Sequence, residues 1–239
     1  KKHKIPVIIH ESDMTPGLAN KLCMKAASKI CCNFPETLQY LPKDKAVLTG
    51  CPIRAELLSG NRLAGLRLSG LSPDKPVLLI IGGSLGSVKV NTAVRQILPR
   101  LLKDFQIVHL CGRGNLDESL KNTAGYVQYE YVGEPLKDLF AMADIVISRA
   151  GANAICELLA LKKPALLIPL SAQASRGDQI LNAKSFAKQG FAKLMEEEEL
   201  TDERLLEQIK ELYSNRASYI EAMEKSSQSS RSEEHTSEL

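Results

Sequence analysis

The sequence predicts an α/β protein built on doubly wound, parallel sheets. Three observations predict it. Short apolar runs of β type alternate with longer stretches of helical period, the pattern of strand–helix–strand units. Two of those runs end in small-residue turns that open straight into helices, IIGGSLGS at 80–87 and SRAGANAICE at 148–157. No apolar run approaches the roughly 20 residues needed to cross a membrane, so the apolar runs read as buried strands.

The elements follow in order. A strand at 7–9 is followed by a helix over 17–28, a strand at 29–33, a short helix and a strand at 46–48. These read as residues 1–57, the end of one α/β unit. Gly50-Cys51-Pro52 breaks the pattern, and the stretch 58–75, rich in Gly, Ser, Arg and Leu, reads as a connection. From 76 to 215 a complete Rossmann-like unit is expected. Val77 to Ile81 is a continuous apolar run closed by Gly82-Gly83, as in a strand buried on both faces. A helix over 87–102 carries Val90, Ala93, Ile97 and Leu101 on one face. Then come a strand at 106–110, a helix near Leu116, a strand at 127–131, a helix at 136–143 and a strand at 144–148. A helix at 153–160, a strand at 165–168, a helix at 178–189, a strand at 191–194 and a helix at 202–213 complete the unit. A terminal helix is expected within 216–230.

The formal net charge of +3 is too small to argue for nucleic acid and compatible with weak attraction to an anionic membrane surface. Cys23, Cys31, Cys32, Cys51, Cys111 and Cys156 form no CxxC pair, so they read as small buried hydrophobes and no metal site is expected. The run Glu196 to Glu199 reads as a solvated turn. The chain starts without Met and enters a strand at once, as a piece of a longer protein would. Its last nine residues, RSEEHTSEL, have neither period nor cap and read as a translated sequencing adapter, so 231–239 are set aside.

Four segments carry chemistry. In the turn after the strand at 77–81, Gly83, Ser84 and Leu85 precede a helix start, whose free N–H groups attract an anion. The spacing is neither GxGxxG nor a GK[ST] loop, and it leaves open phosphate binding or a tight strand–helix turn. In the second turn, Asn153 and Ala154 open a helix with Glu157 one turn inside. A carboxylate there either accepts a ribose diol or merely complements the helix dipole. In RGDQILNA, Asp178 is an N-cap candidate, while Gln179 and Asn182 lie on one face with groups suited to sugar hydroxyls. A capped polar helix start is the alternative there. In HESDMTPGLAN, His10, Glu11, Asp13 and Asn20 cluster just past a strand's carboxyl end, where open α/β sheets bind ligands. Arg54 lies near the expected junction, where a guanidinium either neutralises a diphosphate or is an ordinary surface residue.

Seven segments in order, IHESDMTPGLANK, TGCPIR, IGGSLGS, HLCGRGN, YEYV, ADIVISRAGANAICEL and SRGDQILNA, span about residues 4–188. Together they resemble the MurG-type glycosyltransferases of family 28. That resemblance implies the GT-B architecture, two Rossmann-like domains facing across a cleft, here one complete and one in part. It implies inverting transfer of N-acetylglucosamine from UDP-N-acetylglucosamine to the C4 hydroxyl of a lipid-linked muramyl-pentapeptide, without metal or cofactor, at the cytoplasmic face of the membrane. Arg54, Gly83, Ser84, Leu85, Asn153 and Ala154 would then surround the diphosphate, and the backbone of Val132 would read the uracil. Glu157 would bind the ribose, and Asp178, Gln179 and Asn182 the sugar. His10, Glu11, Asp13 and Asn20 would line the acceptor side, with His10 and Glu11 as candidate bases.

The chain departs from the family pattern in four places. Ser12 and Asp13 stand where many members have HEQN, and Asp178 and Ala154 replace an amide and a hydroxyl. The family's first glycine-rich loop, with its proposed catalytic His and membrane-docking surface, has no match, so about a hundred residues, one domain's worth, are expected to be missing. The fragment alone is therefore expected to be a poor enzyme. Two rivals remain: another GT-B transferase or UDP-sugar epimerase, and a non-catalytic UDP-sugar-binding module. The missing GxGxxG disfavours an NAD-dependent oxidoreductase.

Overall fold

All strand pairings among the described residues are parallel, and they form two sheets. The computed structural model describes residues 5–83, 85–173 and 177–226; the adapter-like tail lies outside them. Strands β1 (Ile8–Glu11), β2 (Lys29–Cys32) and β3 (Ala46–Leu48) make the smaller sheet, in that order. Helix α1 (Leu18–Cys23) joins the first two and ends well short of the expected residue 28. The chain must return to the start of β1 before pairing, and the Ser28 N–H donates to the Val7 carbonyl at 2.7 Å, so residues 24–28 turn instead of coiling.

The stretch expected as a plain connection contains helix α2 (Arg62–Ser69), capped by the Asn61 side chain on the Ala64 amide at 2.9 Å. It lies against α4 (Leu136–Met142). A Cβ on Gly65 would collide with the Asp138 carbonyl, so glycine sets that close approach. Arg62 donates to the Met142 carbonyl at 2.6 Å and to both oxygens of Asp144.

The larger sheet has strands β4 (Val77–Ile81), β5 (Gln106–Leu110), β6 (Tyr126–Tyr129), β7 (Ile145–Ser148), β8 (Ala165–Leu167) and β9 (Ala192–Leu194). Their spatial order is β6-β5-β4-β7-β8-β9. The order reverses between β4 and β7, which is the doubly wound arrangement with its switch point there. Side chains alternate across the sheet. Leu78, Ile80, Ile107 and Ile147 pack under α3 (Val88–Leu101) and α7 (Asp202–Ser214). Val77, Leu79, Val108 and Val146 face α4, α5 (Ala152–Ala160) and α6 (Asp178–Lys188), together with Met223 of α8 (Arg216–Glu224). Each fully buried aliphatic side chain contributes about 1.5–3 kcal/mol, so these two layers hold the unit together.

The helix expected near Leu116 is only a 3₁₀ turn at Glu118–Leu120. The Asp117 carboxylate takes the Ser119 N–H at 3.0 Å, and Gln128 bonds both backbone groups of Asp117. Those local bonds compete with a helical ladder. Below them His109 is buried between Asn91 Oδ1 and Tyr126 Oη, both at 2.9 Å; burial, aided by the nearby Arg95 charge, pushes its pKa down to about 3.

Candidate functional site

The carboxyl ends of β4 and β7, adjacent at the switch point, pair Ile81 with Ser148. Both strands run from there into turns, and the two turns open a crevice. After β4, Gly86 has φ +74°, and a Cβ on it would strike the Cys111 carbonyl; the glycine lets the turn press against the end of β5. Ser87 then caps α3, its hydroxyl accepting from the Val90 N–H at 3.3 Å. Ser84, expected at the heart of this turn, lies outside the described residues. Leu85 is exposed.

After β7, the chain enters α5 through Gly151, and no side chain caps that helix start. Uncapped first-turn amides with the helix dipole behind them favour an anion. A cavity of about 480 Å³ brings together Gly83, Asn153, Ala154, Glu157, Arg54 and Val132, with Glu130 and Tyr131 at its edge. Sequence spacing alone had not joined Arg54 to Glu157. In the structure Arg54 Nε meets Glu157 Oε1 at 3.1 Å, with the carboxylate the more sheltered partner. Cys51, three residues before Arg54, is buried against the same helix, its sulfur 3.7 Å from Asn153 Oδ1.

The residues of α6 are placed differently from expectation. Asn182 is 0% exposed and does not reach the cavity. Its amide donates to the Ala150 carbonyl at 3.2 Å and to Asp13 Oδ1 at 3.3 Å. The small side chains of Ala150 and Ala183, both fully buried, bring α6 close enough for this. Asp178 accepts from the Thr15 hydroxyl at 3.0 Å, and Gln179 accepts from the Leu170 N–H at 3.1 Å. Gly177 rather than Asp178 precedes the helix as its cap position.

In the HESDMTPGLAN segment, Glu11 is buried and accepts from the N–H groups of Asp13 (3.1 Å) and Gly17 (2.8 Å) and from Asn20 Nδ2 (2.9 Å). Asn20 also donates to the His10 carbonyl. Glu11, buried, and Asn20, half-exposed, therefore brace the loop. His10 is exposed. Ser12 and Asp13 face the start of α5 across a cavity of about 260 Å³, so the loop does meet the helix that borders the larger cavity.

Two residues at this edge escaped the sequence reading. Arg149, in the turn after β7, is nearly buried and forms an ion pair at 2.5 Å with Glu197, also buried. Glu197 belongs to the acidic run expected to be a solvated turn. Burial alone would raise its pKa, but Arg149 and Lys89 outweigh that and hold it below the usual carboxylate range. An arginine following directly on a buried strand needs an acid nearby, and that demand was the available signal. Of the cysteines, Cys31, Cys32, Cys51 and Cys111 are buried as expected, Cys156 is half-buried, and Cys23 is exposed. Among the described residues no cluster of three or more His, Cys, Asp or Glu is arranged to hold a metal ion.

A model of the glycosyltransferase family 28 C-terminal domain matches residues 77–239, more than half of the chain. The chain belongs to glycosyltransferase family 28. Two similar relatives carry the name UDP-N-acetylglucosamine–N-acetylmuramyl-(pentapeptide) pyrophosphoryl-undecaprenol N-acetylglucosamine transferase. The protein of that name from Lachnospira eligens is 66% identical over 224 residues, covering 94% of this chain and 63% of its own length. One from Clostridium botulinum (strain Loch Maree / Type A3) is 58% identical with the same coverages. The crystal structure of Acinetobacter baumannii MurG superposes with a TM-score of 0.65 at 26% identity, covering 98% of this chain and 63% of that one. The calicheamicin glycosyltransferase CalG4, at 14% identity and a TM-score of 0.60, covers 90% of this chain and 54% of its own and shares the fold. The GT-B expectation and the family resemblance are thus borne out. The chain spans just under two thirds of the length of the relatives it matches.

Proposed function

We propose that this chain is the donor-binding part of a glycosyltransferase. The enzyme would move N-acetylglucosamine from UDP-N-acetylglucosamine to the C4 hydroxyl of a lipid-linked N-acetylmuramyl-pentapeptide, inverting the sugar C1. The names of the relatives support the donor and acceptor. The observation that carries the reading is the cavity at the switch point, which gathers Val132, Glu157, Arg54 and the uncapped start of α5. It offers a backbone edge for uracil, a carboxylate for the ribose diol, and amides with a guanidinium for the diphosphate.

Arg54 and Glu157 hold each other at 3.1 Å. Nucleotide binding would divide them, with the ribose taking Glu157 and the diphosphate taking Arg54. As UDP leaves, charge grows on its β-phosphate. Fixed donors at Gly83, Leu85, Asn153 and Ala154, with Arg54, would stabilise that charge more than the ground state. Asp178 and Gln179, both half-exposed, are proposed for the sugar ahead of the buried Asn182. The acceptor would approach over His10, Ser12 and Asp13, and a base would take its hydroxyl proton. Glu11, committed to its own loop, is not proposed for that role. We infer a peripheral position at the cytoplasmic face of the membrane from the lipid-linked acceptor. Among the described residues no helix is long and apolar enough to cross a membrane.

The test is calorimetric titration of the chain with UDP-N-acetylglucosamine, UDP-glucose and NAD. Saturable binding that ranks the acetylated sugar first is expected. A preference for NAD, or no discrimination between the two sugars, would sink the donor assignment.

A further inference from the structure

All six cysteines are free thiols, and two of them meet between the loop that leaves β3 and helix α5. Cys51 Sγ stands 3.7 Å from Asn153 Oδ1. Arg54, three residues on, meets Glu157 at 3.1 Å. Asn153, Cys156 and Glu157 share one face of α5, at i, i+3 and i+4. The loop therefore lies along that stripe with Cys156 between its two contacts, and the thiols of Cys51 and Cys156 hydrogen-bond to each other. A disulfide forms only between cysteines whose backbones already stand close, and this contact supplies that nearness.

The other thiols are placed differently. Cys23 is exposed on α1. Cys31 and Cys32 are neighbours on β2, where successive side chains point to opposite faces. Cys111 is engaged with Arg95 and the His109 carbonyl. Burial pushes the Cys111 thiol up and that of Cys32 to about 11, which keeps both inert. In the pair, the hydrogen bond from Cys156 outweighs burial and lowers the pKa of Cys51, while Cys156 is raised and keeps its proton. One thiol is thus prepared to attack and the other to follow. Neither lines the proposed donor cavity, but Arg54, Asn153 and Glu157 on the same two segments do.

We propose that Cys51 and Cys156 are a peroxide-sensitive pair, whose disulfide ties the loop after β3 to α5 and holds Arg54 against Glu157, shutting the donor cavity to nucleotide. The effect on nucleotide rests on the donor reading given above, and the bond itself does not. The Cys51 thiolate attacks one oxygen of hydrogen peroxide. The O–O bond breaks, hydroxide leaves and takes up a proton to become water, and Cys51 carries a sulfenic acid. The Cys156 sulfur then attacks the Cys51 sulfur, the S–O bond breaks, and the hydroxyl leaves as water with the Cys156 proton. Two thiols are oxidised to one disulfide, and one peroxide is reduced to two waters. A dithiol reverses the step by exchange. Nucleotide has to divide Arg54 from Glu157, and a covalent bond three residues before one and next to the other opposes that division.

The test treats Cys23→Ser, which lacks the exposed thiol, and the double variant Cys23→Ser/Cys51→Ser with hydrogen peroxide. Peptide mapping without reductant is expected to find the peptides of Cys51 and Cys156 joined in the first protein, and dithiothreitol should part them. Absence of that bond, with Cys51 left reduced or carried on to sulfinic acid, would overturn the proposal. In calorimetry, oxidation should weaken UDP by about tenfold or more, and dithiothreitol should restore it. The double variant should bind UDP equally well before and after peroxide; Cys23→Ser/Cys156→Ser should match it and replaces it if it fails to fold. A bond that forms and leaves UDP affinity unchanged would overturn the shutting of the cavity. If the reduced protein binds no UDP, the donor reading fails. Mapping and amide hydrogen exchange over 51–57 then decide the tie alone: exchange there should slow on oxidation, and unchanged exchange would overturn it.

Discussion

The two sheets are held together in different ways. The six-stranded sheet is covered on both faces, with β4 and its neighbours fully buried between helices. The three-stranded sheet has a core cluster of only Ala27, Ile30, Cys32 and Leu41. Its helix α1 buries no residue at all, and Leu18 and Leu22 are 69% and 73% exposed. The smaller sheet therefore leans on the larger one. Phe34 joins the core of the larger unit and meets Phe186 edge-on at 6.3 Å. Ser185 donates to Glu36 at 2.9 Å, Asn182 to Asp13, and Thr15 to Asp178. All four contacts land on α6, at positions 178, 182, 185 and 186, which form one helical stripe. One face of α6 is thus a main joint between the sheets, beside the contact of Cys51 with Asn153 of α5, and its polar residues at ligand-like spacing take part in packing.

Breaking that joint should separate the two regions. Phe34→Ala is expected to cost about 3–5 kcal/mol in urea unfolding, through a lost aromatic and the cavity left behind. Residues 5–50 should become sensitive to protease before the larger sheet does. Asn182→Ala, which strips a buried donor from Asp13 and Ala150, is expected to cost about 1–3 kcal/mol by the same measurement. An effect confined to sugar binding with no loss of stability would contradict its role in the joint.

Acid should act on the larger region first. His109 sits near 3 instead of its ordinary 6.5, so the folded protein refuses a proton that the unfolded chain accepts. Its contribution is complete above about pH 6.5 and is lost progressively as pH falls from there toward 3. Thermal melts at pH 7.0, 6.0 and 5.0 should show a falling midpoint, and His109→Asn should flatten that slope. Leu22→Ala, on the uncovered helix, should change stability by no more than about 0.5 kcal/mol. A larger loss would mean that α1 packs more tightly than its exposure implies.

Most of the fold was legible because its strands are buried on both faces. Continuous apolar runs such as 77–81 and 106–110 mark their own ends, and the strands there match the structure to the residue. Helix α2 was hidden because its face toward α4 is made by Gly65 and Leu66, too few apolar residues to set a period. Of the site, the two turns were legible from small residues following buried strands. The ion pairs were not. Arg54 and Glu157 are 103 residues apart, and Arg149 and Glu197 are 48 apart, and no local pattern links them. The same limit explains Glu11 and Asn182. Polar residues that satisfy a folded loop from inside carry the same letters as polar residues that wait for a ligand.

The most direct measurement is a UDP titration of the wild-type chain beside Glu157→Ala. If the switch-point cavity is the nucleotide site, removing the ribose-binding carboxylate should weaken UDP by about 1.5–3 kcal/mol, roughly ten- to a hundredfold. The variant should keep its fold, because Glu157 is paired only with the half-exposed Arg54 among the ion pairs of the described residues. Equal affinity for UDP in the two folded proteins would contradict the assignment of that cavity.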